Sequence, residues 1–214
     1  PIYHITNKKM NYDTIVSKDT LQKTMDALTE RGHLPEFFPS KSDALARIKE
    51  LIPQNASVMN GASRTLEEIG FVQYLKEGTH GWNNLHDAIL AEKDPAKQAA
   101  LRKQSVLSDF YLGSVHALAE TGEILIASNT GSQLPHTVFT SQNLILVIGT
   151  QKIVPTLSDA FKRLEQYVIP LEEERMRQAM GAGTYPSKIL VINREQPFMG
   201  RKSHIIFVNE KLGF

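Results

Sequence analysis

The sequence predicts an α/β fold with an open, mostly parallel sheet flanked by helices. Three observations carry that prediction. Short apolar runs alternate along the chain with segments of helical periodicity, as successive strand–helix units require. The run Leu144-Ile145-Leu146-Val147-Ile148 is apolar at five consecutive positions, the pattern of a strand covered on both faces. Finally, the apolar runs between Phe110 and Ala127 are bounded by Gly113, Gly122 and the polar string Ser128-Asn129-Thr130-Gly131, which reads as buried strands ending in polar loops.

In chain order, Leu21, Met25 and Leu28 recur at helical spacing behind Ser17 and Asp19, and predict a helix near 18–31 closed by Gly32. A short strand over 33–39 ends at Pro39. Ser42 or Asp43 caps a second helix, whose Leu45, Ile48 and Ile52 share one face and which Pro53 stops. Residues 57–59 form a brief strand. The loop 60–65 leads into a helix carrying Leu66, Ile69 and Leu75, with Thr65-x-x-Glu68 matching a capping box. Residues 78–93 read as an exposed excursion and a short helix. Asp94-Pro95 opens another helix, on which Ala99, Val106 and Leu107 ride. The strand 144–148 stops at Gly149, and Pro155 introduces a helix with Leu157, Phe161 and Leu164. A polar helical segment, 171–180, holds Arg175 and Arg177 among three glutamates, a solvated face. Gly181-Ala182-Gly183 follows a helix and lacks a third glycine, so it reads as a helix terminator and not a dinucleotide fingerprint. Strands over 189–192 and 205–208 finish the sheet.

Composition bounds the function. The 214 residues suffice for a sizeable core, read as an extension or irregular N-terminus over 1–16 and a single α/β domain over 17–214. Lys and Arg number 24 against 23 for Asp and Glu, so the chain lacks the basic surface of a nucleic-acid binder. Zero cysteines exclude disulfides, thiol catalysis and Cys-ligated metal, and fit a reducing cytoplasm. No apolar run approaches the ~20 residues of a membrane span, so no membrane partner is expected. No cofactor motif is read. His80, His86, His116 and His136 show no metal-binding signature, and no metal site is assigned to them.

The candidate site is drawn from two stretches and one lysine. Asn60, Gly61, Ser63 and Thr65 form a loop whose N–H groups and hydroxyls suit an anion, although an ordinary capped turn explains the Thr and Glu equally well. Gly113, Ser114, Thr121, Gly122, Asn129, Gly131, Ser132 and Gln133 bound the apolar runs of 111–133, where glycines allow close approach to a ligand. Lys152 follows the strongest strand, and open α/β sheets bind ligands off the carboxyl ends of their strands. It can meet an anionic substrate or pair with Glu120. Glu120, in a mostly apolar setting, is the candidate catalytic residue. A structural carboxylate bonded to its own turn is favoured there over a nucleophile, with a general-base or ligand-contact role left open.

Four stretches together resemble the lactate-utilization (LUD) domain family. They are Met59-Asn60-Gly61-Ala62-Ser63-Arg64-Thr65-Leu66-Glu67-Glu68-Ile69-Gly70, Asp109-Phe110-Tyr111-Leu112-Gly113-Ser114-Val115-His116-Ala117-Leu118-Ala119-Glu120-Thr121-Gly122, Val147-Ile148-Gly149-Thr150-Gln151-Lys152-Ile153-Val154-Pro155, and the tail from Gly200 to Phe214. The resemblance implies a sheet like that of ribose-phosphate isomerases, glucosamine-phosphate deaminases and CoA transferases, and an association with bacterial lactate oxidation. It implies a small anionic metabolite as ligand, and leaves open an iron–sulfur redox partner protein and homo-oligomer formation. Enzyme, non-catalytic accessory or ligand sensor, and isomerase or CoA transferase all stay open. Many relatives carry a cysteine cluster ahead of the penultimate strand; here residues 180–188 hold no thiol, so that role does not transfer.

Overall fold

Helices and strands alternate from α1 (Lys18–Glu30) and β1 (Leu34–Phe38) through α2 (Lys41–Leu51) and β2 (Ser57–Asn60) in the computed structural model, which describes residues 11–214. Next come α3 (Arg64–Glu68), α4 (Phe71–Glu77), the two-residue β3 (Asn83–Asn84), α5 (Leu85–Ala91) and α6 (Pro95–Gln104). The central stretch supplies β4 (Phe110–Gly113), β5 (Ala117–Ala119) and β6 (Ile124–Ser128), followed by a π-helical turn at His136–Thr140. Then follow β7 (Asn143–Gly149), β8 (Ile153–Val154), α7 (Leu157–Arg163) and, through a second π-helical turn, α8 (Ile169–Met180). Two more strands are β9 (Lys188–Ile192) and β10 (Lys202–Val208). Most of the expected extension over 1–16 lies outside the described residues.

The main sheet has the order β1-β10-β7-β4-β2-β3, with every pairing parallel. This is the α/β architecture that the apolar run at 144–148 predicts, since β7 sits at its centre and must bury both faces. Ile145 and Val147 of β7 pack with Ile206 and Val208 of β10 against α2, α3 and α4. Leu144, Leu146 and Ile148 point the other way, with Ile205 and Phe207. They meet a second sheet, ordered β8-β5-β6-β9, in which β6 runs antiparallel to both neighbours. Ile124 and Ile126 of β6 join that shared middle layer, while Leu125 and Ala127 face Ala160 and Leu164 on the helical side.

The second sheet corrects one expectation. Residues 189–192 do not finish the main sheet but form β9, an edge strand paired with β6. A short apolar run carries no information about which edge it joins.

Local chemistry adjusts several helix starts. Ser40, not Ser42 or Asp43, caps α2: its hydroxyl accepts from Asp43 N at 3.3 Å, because Lys41 and Ser42 are already helical. Ser63 caps α3 in the same way through Leu66 N. Thr65 and Glu68 therefore form no capping box. Thr65 Oγ1 donates to Leu212 O at 3.3 Å, and Glu68 Oε2 accepts from Gly213 N at 2.7 Å. Gly70, with φ of +84°, splits the expected helix into α3 and α4. Asp94 caps α6 as expected, but that helix ends at Gln104, and Leu107 lies 77% exposed on the 3₁₀ turn beyond it. Gly181 ends α8 in the left-handed conformation, as a terminator should.

Arg201 ties the turn at 136–141 to the head of β10. It pairs with Glu195 and donates to His136 O, Thr137 O and Ser141 O at 2.9, 2.7 and 2.9 Å. Replacing it by Leu strands a largely buried carboxylate and three carbonyls, so Arg201→Leu is expected to lose about 3–5 kcal/mol in urea denaturation. A loss within 1 kcal/mol of zero would mean that water replaces these bonds without penalty.

Candidate functional site

Off the carboxyl ends of β2, β4 and β7 opens a cleft of about 430 Å³. Asn60, Gly61, Ser63 and Thr65 form one wall, Gly113 and Ser114 the back, and Asn129, Ser132 and Gln133 the wall opposite. Lys152 lies at its floor. The two sequence stretches thus share one cleft. They approach tightly at Gly61, where a Cβ would lie 2.5 Å from Tyr111 Oη and 3.1 Å from Gln133 Oε1. α8 supplies Glu172 and Arg175, and Thr184 to Pro186 form part of the rim. Asn129 Nδ2 donates to Thr184 Oγ1 at 3.1 Å, which bridges two rim segments.

Glu120, Thr121, Gly122 and Gly131 do not line this cleft. Glu120 to Glu123 form the turn of the β5–β6 hairpin. Gly122 adopts φ of +96°, Glu120 N donates to Val154 O, and Thr121 O and Glu123 receive Arg31 of α1. The cleft lies at the hairpin's other end, where His116 N donates to Leu125 O. Strand geometry puts roughly 10 Å between the two ends, so closeness in sequence to Gly113 does not bring Glu120 to the ligand side. Gly131 turns toward β9, where a Cβ would meet the Lys188 side chain.

Lys152 is delivered by the sharp end of β7. A Cβ on Gly149 would collide with Glu210 O and Leu212 N, and Gln151 Nε2 donates to Leu212 O at 2.8 Å. The chain then folds Lys152 inward, leaving it 3% exposed. Its Nζ lies 3.1 Å from Thr65 Oγ1, 3.1 Å from Ser114 Oγ and 3.0 Å from Val115 O. Ser114 Oγ donates its own proton to Val147 O, and Thr65 Oγ1 donates to Leu212 O. Both hydroxyls can therefore only accept from Nζ, and all three protons of an ammonium are used. No carboxylate lies within salt-bridge distance of Lys152 among the described residues, so it does not pair with Glu120. Burial, then repulsion from Arg163, lowers its pKa to about 7, against a weaker pull from Glu68.

Sequence reasoning missed the other buried cation and the aromatic wall. Arg163 is fully buried on α7, donating to main-chain oxygens of His116, Phe214 and Tyr12. A signal existed, since an arginine three residues after Ala160 and one before Leu164 sits on the helix's apolar stripe. His116 Nδ1 accepts from Ala127 N at 3.0 Å. Burial, with Lys152 and Arg163 nearby, holds the His116 pKa at about 3. His136 stacks on Tyr111 at 4.5 Å between ring centres, and burial lowers its pKa to about 4. Nothing in the spacing of these residues marks them.

The family model described as the LUD domain matches residues 21–208. Among solved structures, the chain is similar to a DUF162 family protein from Deinococcus radiodurans. That likeness has a TM-score of 0.54 at 11% identity, covers 91% of this chain and 99% of the other, and speaks for the fold. No curated protein matches the chain.

The depressed lysine pKa sets a stability profile. Unfolded, Lys152 keeps its proton up to about 10.5; folded, it releases it near 7. Between those values the unfolded state holds more protons, so stability rises with pH across that window and the penalty is fully present below it. Denaturation midpoints for the ligand-free parent and Lys152→Met, measured from pH 6.5 to 10, are expected to converge in the acid limb less well than in the alkaline one. Parallel curves would assign Lys152 an ordinary pKa.

Proposed function

The chain belongs to the LUD domain family, and on that premise we propose that it binds a small anionic metabolite in the cleft over Lys152. The observation that carries this reading is a buried ammonium whose three direct acceptors are neutral, with no carboxylate in salt-bridge distance among the described residues and only a weak pull from Glu68. Burying an unpaired charge is costly, and an anionic ligand supplies the missing counter-charge. Arg163 behind it adds to the attraction. Around the cleft, Arg64, Arg102 and Arg175 also outnumber Glu67 and Glu172, so the field at the mouth favours an anion. The ligand classes that fit are hydroxy- or oxo-acids, phosphorylated sugars and acyl thioesters, and membership of the LUD family supports a link to lactate utilization, with a cytoplasmic location as part of this reading.

Binding without chemistry has its own support. The three protons of Lys152 are all held by protein acceptors, and Glu120 is remote from the cleft. A ligand sensor or accessory partner of a redox complex needs no more than this. The same remoteness weighs against a CoA transferase-like reaction through Glu120.

A thermal-shift screen of carboxylates, oxo-acids and sugar phosphates, followed by calorimetry, tests the proposal. For any hit, Lys152→Met is expected to weaken binding on the order of 10- to 100-fold, the scale of a charge-assisted interaction. Parent affinity should fall as pH rises above about 7, because the free protein then loses the proton that the anion needs. A ligand whose affinity ignores both Lys152 and pH would place the binding determinant elsewhere.

A further inference from the structure

We infer that His116 reads the uncharged part of the same ligand, donating from Nε2–H to a carbonyl oxygen, which makes small anions bearing a carbonyl group the class the cleft selects. This rests on the anion proposal for Lys152. The ring's protonation is fixed by its surroundings. Ala127 N donates to Nδ1 at 3.0 Å, so Nδ1 is the acceptor and the single proton of the neutral imidazole resides on Nε2. That N–H has no protein partner among the described residues, and His116 lines the cleft.

The ring is also held still. His116 N donates to Leu125 O, its carbonyl accepts from Arg163, and Lys152 binds the carbonyl of the preceding Val115. The backbone that carries the imidazole is thereby tied to both buried cations. The cations facing His116 are Lys152 and Arg163, and both oppose a second proton on the ring. Through the neutral pH range His116 is therefore a donor and not an acid–base group. A carbonyl oxygen has lone pairs and no hydrogen, so it satisfies this donor without needing an acceptor in return. An anion lacking that oxygen leaves the N–H to water, so the carbonyl ligand gains a bond that the plain anion does not.

Two matched pairs of probes, pyruvate with propionate and acetyl phosphate with ethyl phosphate, differ in whether a carbonyl stands beside the anion. The parent is expected to bind the carbonyl member of at least one pair about tenfold more tightly. His116→Asn keeps an acceptor for Ala127 N but sets its amide N–H back from the ligand, so it should erase that ratio by weakening the carbonyl member about tenfold. His116→Gln, whose amide nitrogen reaches further, should restore part of the ratio. The preference should also stay flat from pH 5 to 9 while overall affinity falls above about 7.

Anions that depend on Lys152 but show no carbonyl preference, or a preference that survives His116→Asn, would overturn the role of His116 and leave the anion proposal standing. Lack of binding by all four probes would overturn both for ligands of this size. Circular dichroism and melting curves on each variant decide whether a lost ratio comes from lost structure: a His116→Asn protein that is folded but retains the parent's ratio counts against the inference, and so does an unfolded one whose His116→Gln counterpart is folded without any preference.

Discussion

The Lys152 ammonium is the point on which distant parts of the chain converge. Its three acceptors come from α3, from the loop after β4 and from the backbone at Val115. The tail closes over it, since a Cβ at Gly213 would lie 2.6 Å from Thr65 Oγ1 and 3.2 Å from Nζ. Neutral dipoles recover only part of what an ammonium loses on leaving water. Arg163 on α7 is likewise buried, bound to main-chain oxygens and leaving its Nε without a partner among the described residues. An ammonium with no carboxylate in salt-bridge distance among the described residues is a costly way to hold a fold together, which agrees with the anionic ligand proposed for the cleft.

Much of the architecture was legible because burial on two faces leaves a continuous apolar signature. β7 announced itself in that way, and α1 and α6 were marked by Ser17 and Asp94, whose side chains do cap them. The division into two sheets was not legible. β6 reads as an uninterrupted apolar run whether it belongs to the main sheet or lies over it, and only the pairing with β9 distinguishes the cases. Ser40 and Ser63 are not legible as caps for a smaller reason: neighbouring Ser, Thr and Asp compete for that position, and the winner depends on where the backbone leaves the extended region.

The site was half legible for a related reason. Strand ends collect glycines and small polar residues, which pointed to Asn60 through Thr65, to Ser114 and to Lys152. A hairpin, however, carries such residues at both ends. Glu120 and His116 are four residues apart, yet one docks on Arg31 of α1 through its turn and the other faces the cleft with Lys152. Composition marks where strands stop and is silent about which end meets a ligand.

The middle layer has a consequence for selectivity. One wall of the cleft belongs to the main sheet and the opposite one to the end of β6, and what spaces them is the packing of Leu144, Leu146 and Ile148 against Ile124 and Ile126. Stacked sheets stand about 10 Å apart, a distance set by the bulk of the side chains between them. The aperture is therefore a property of aliphatic residues that never meet the ligand. Evolution can retune which molecules enter by exchanging one methylene group in the core, leaving every polar group in the cleft unchanged.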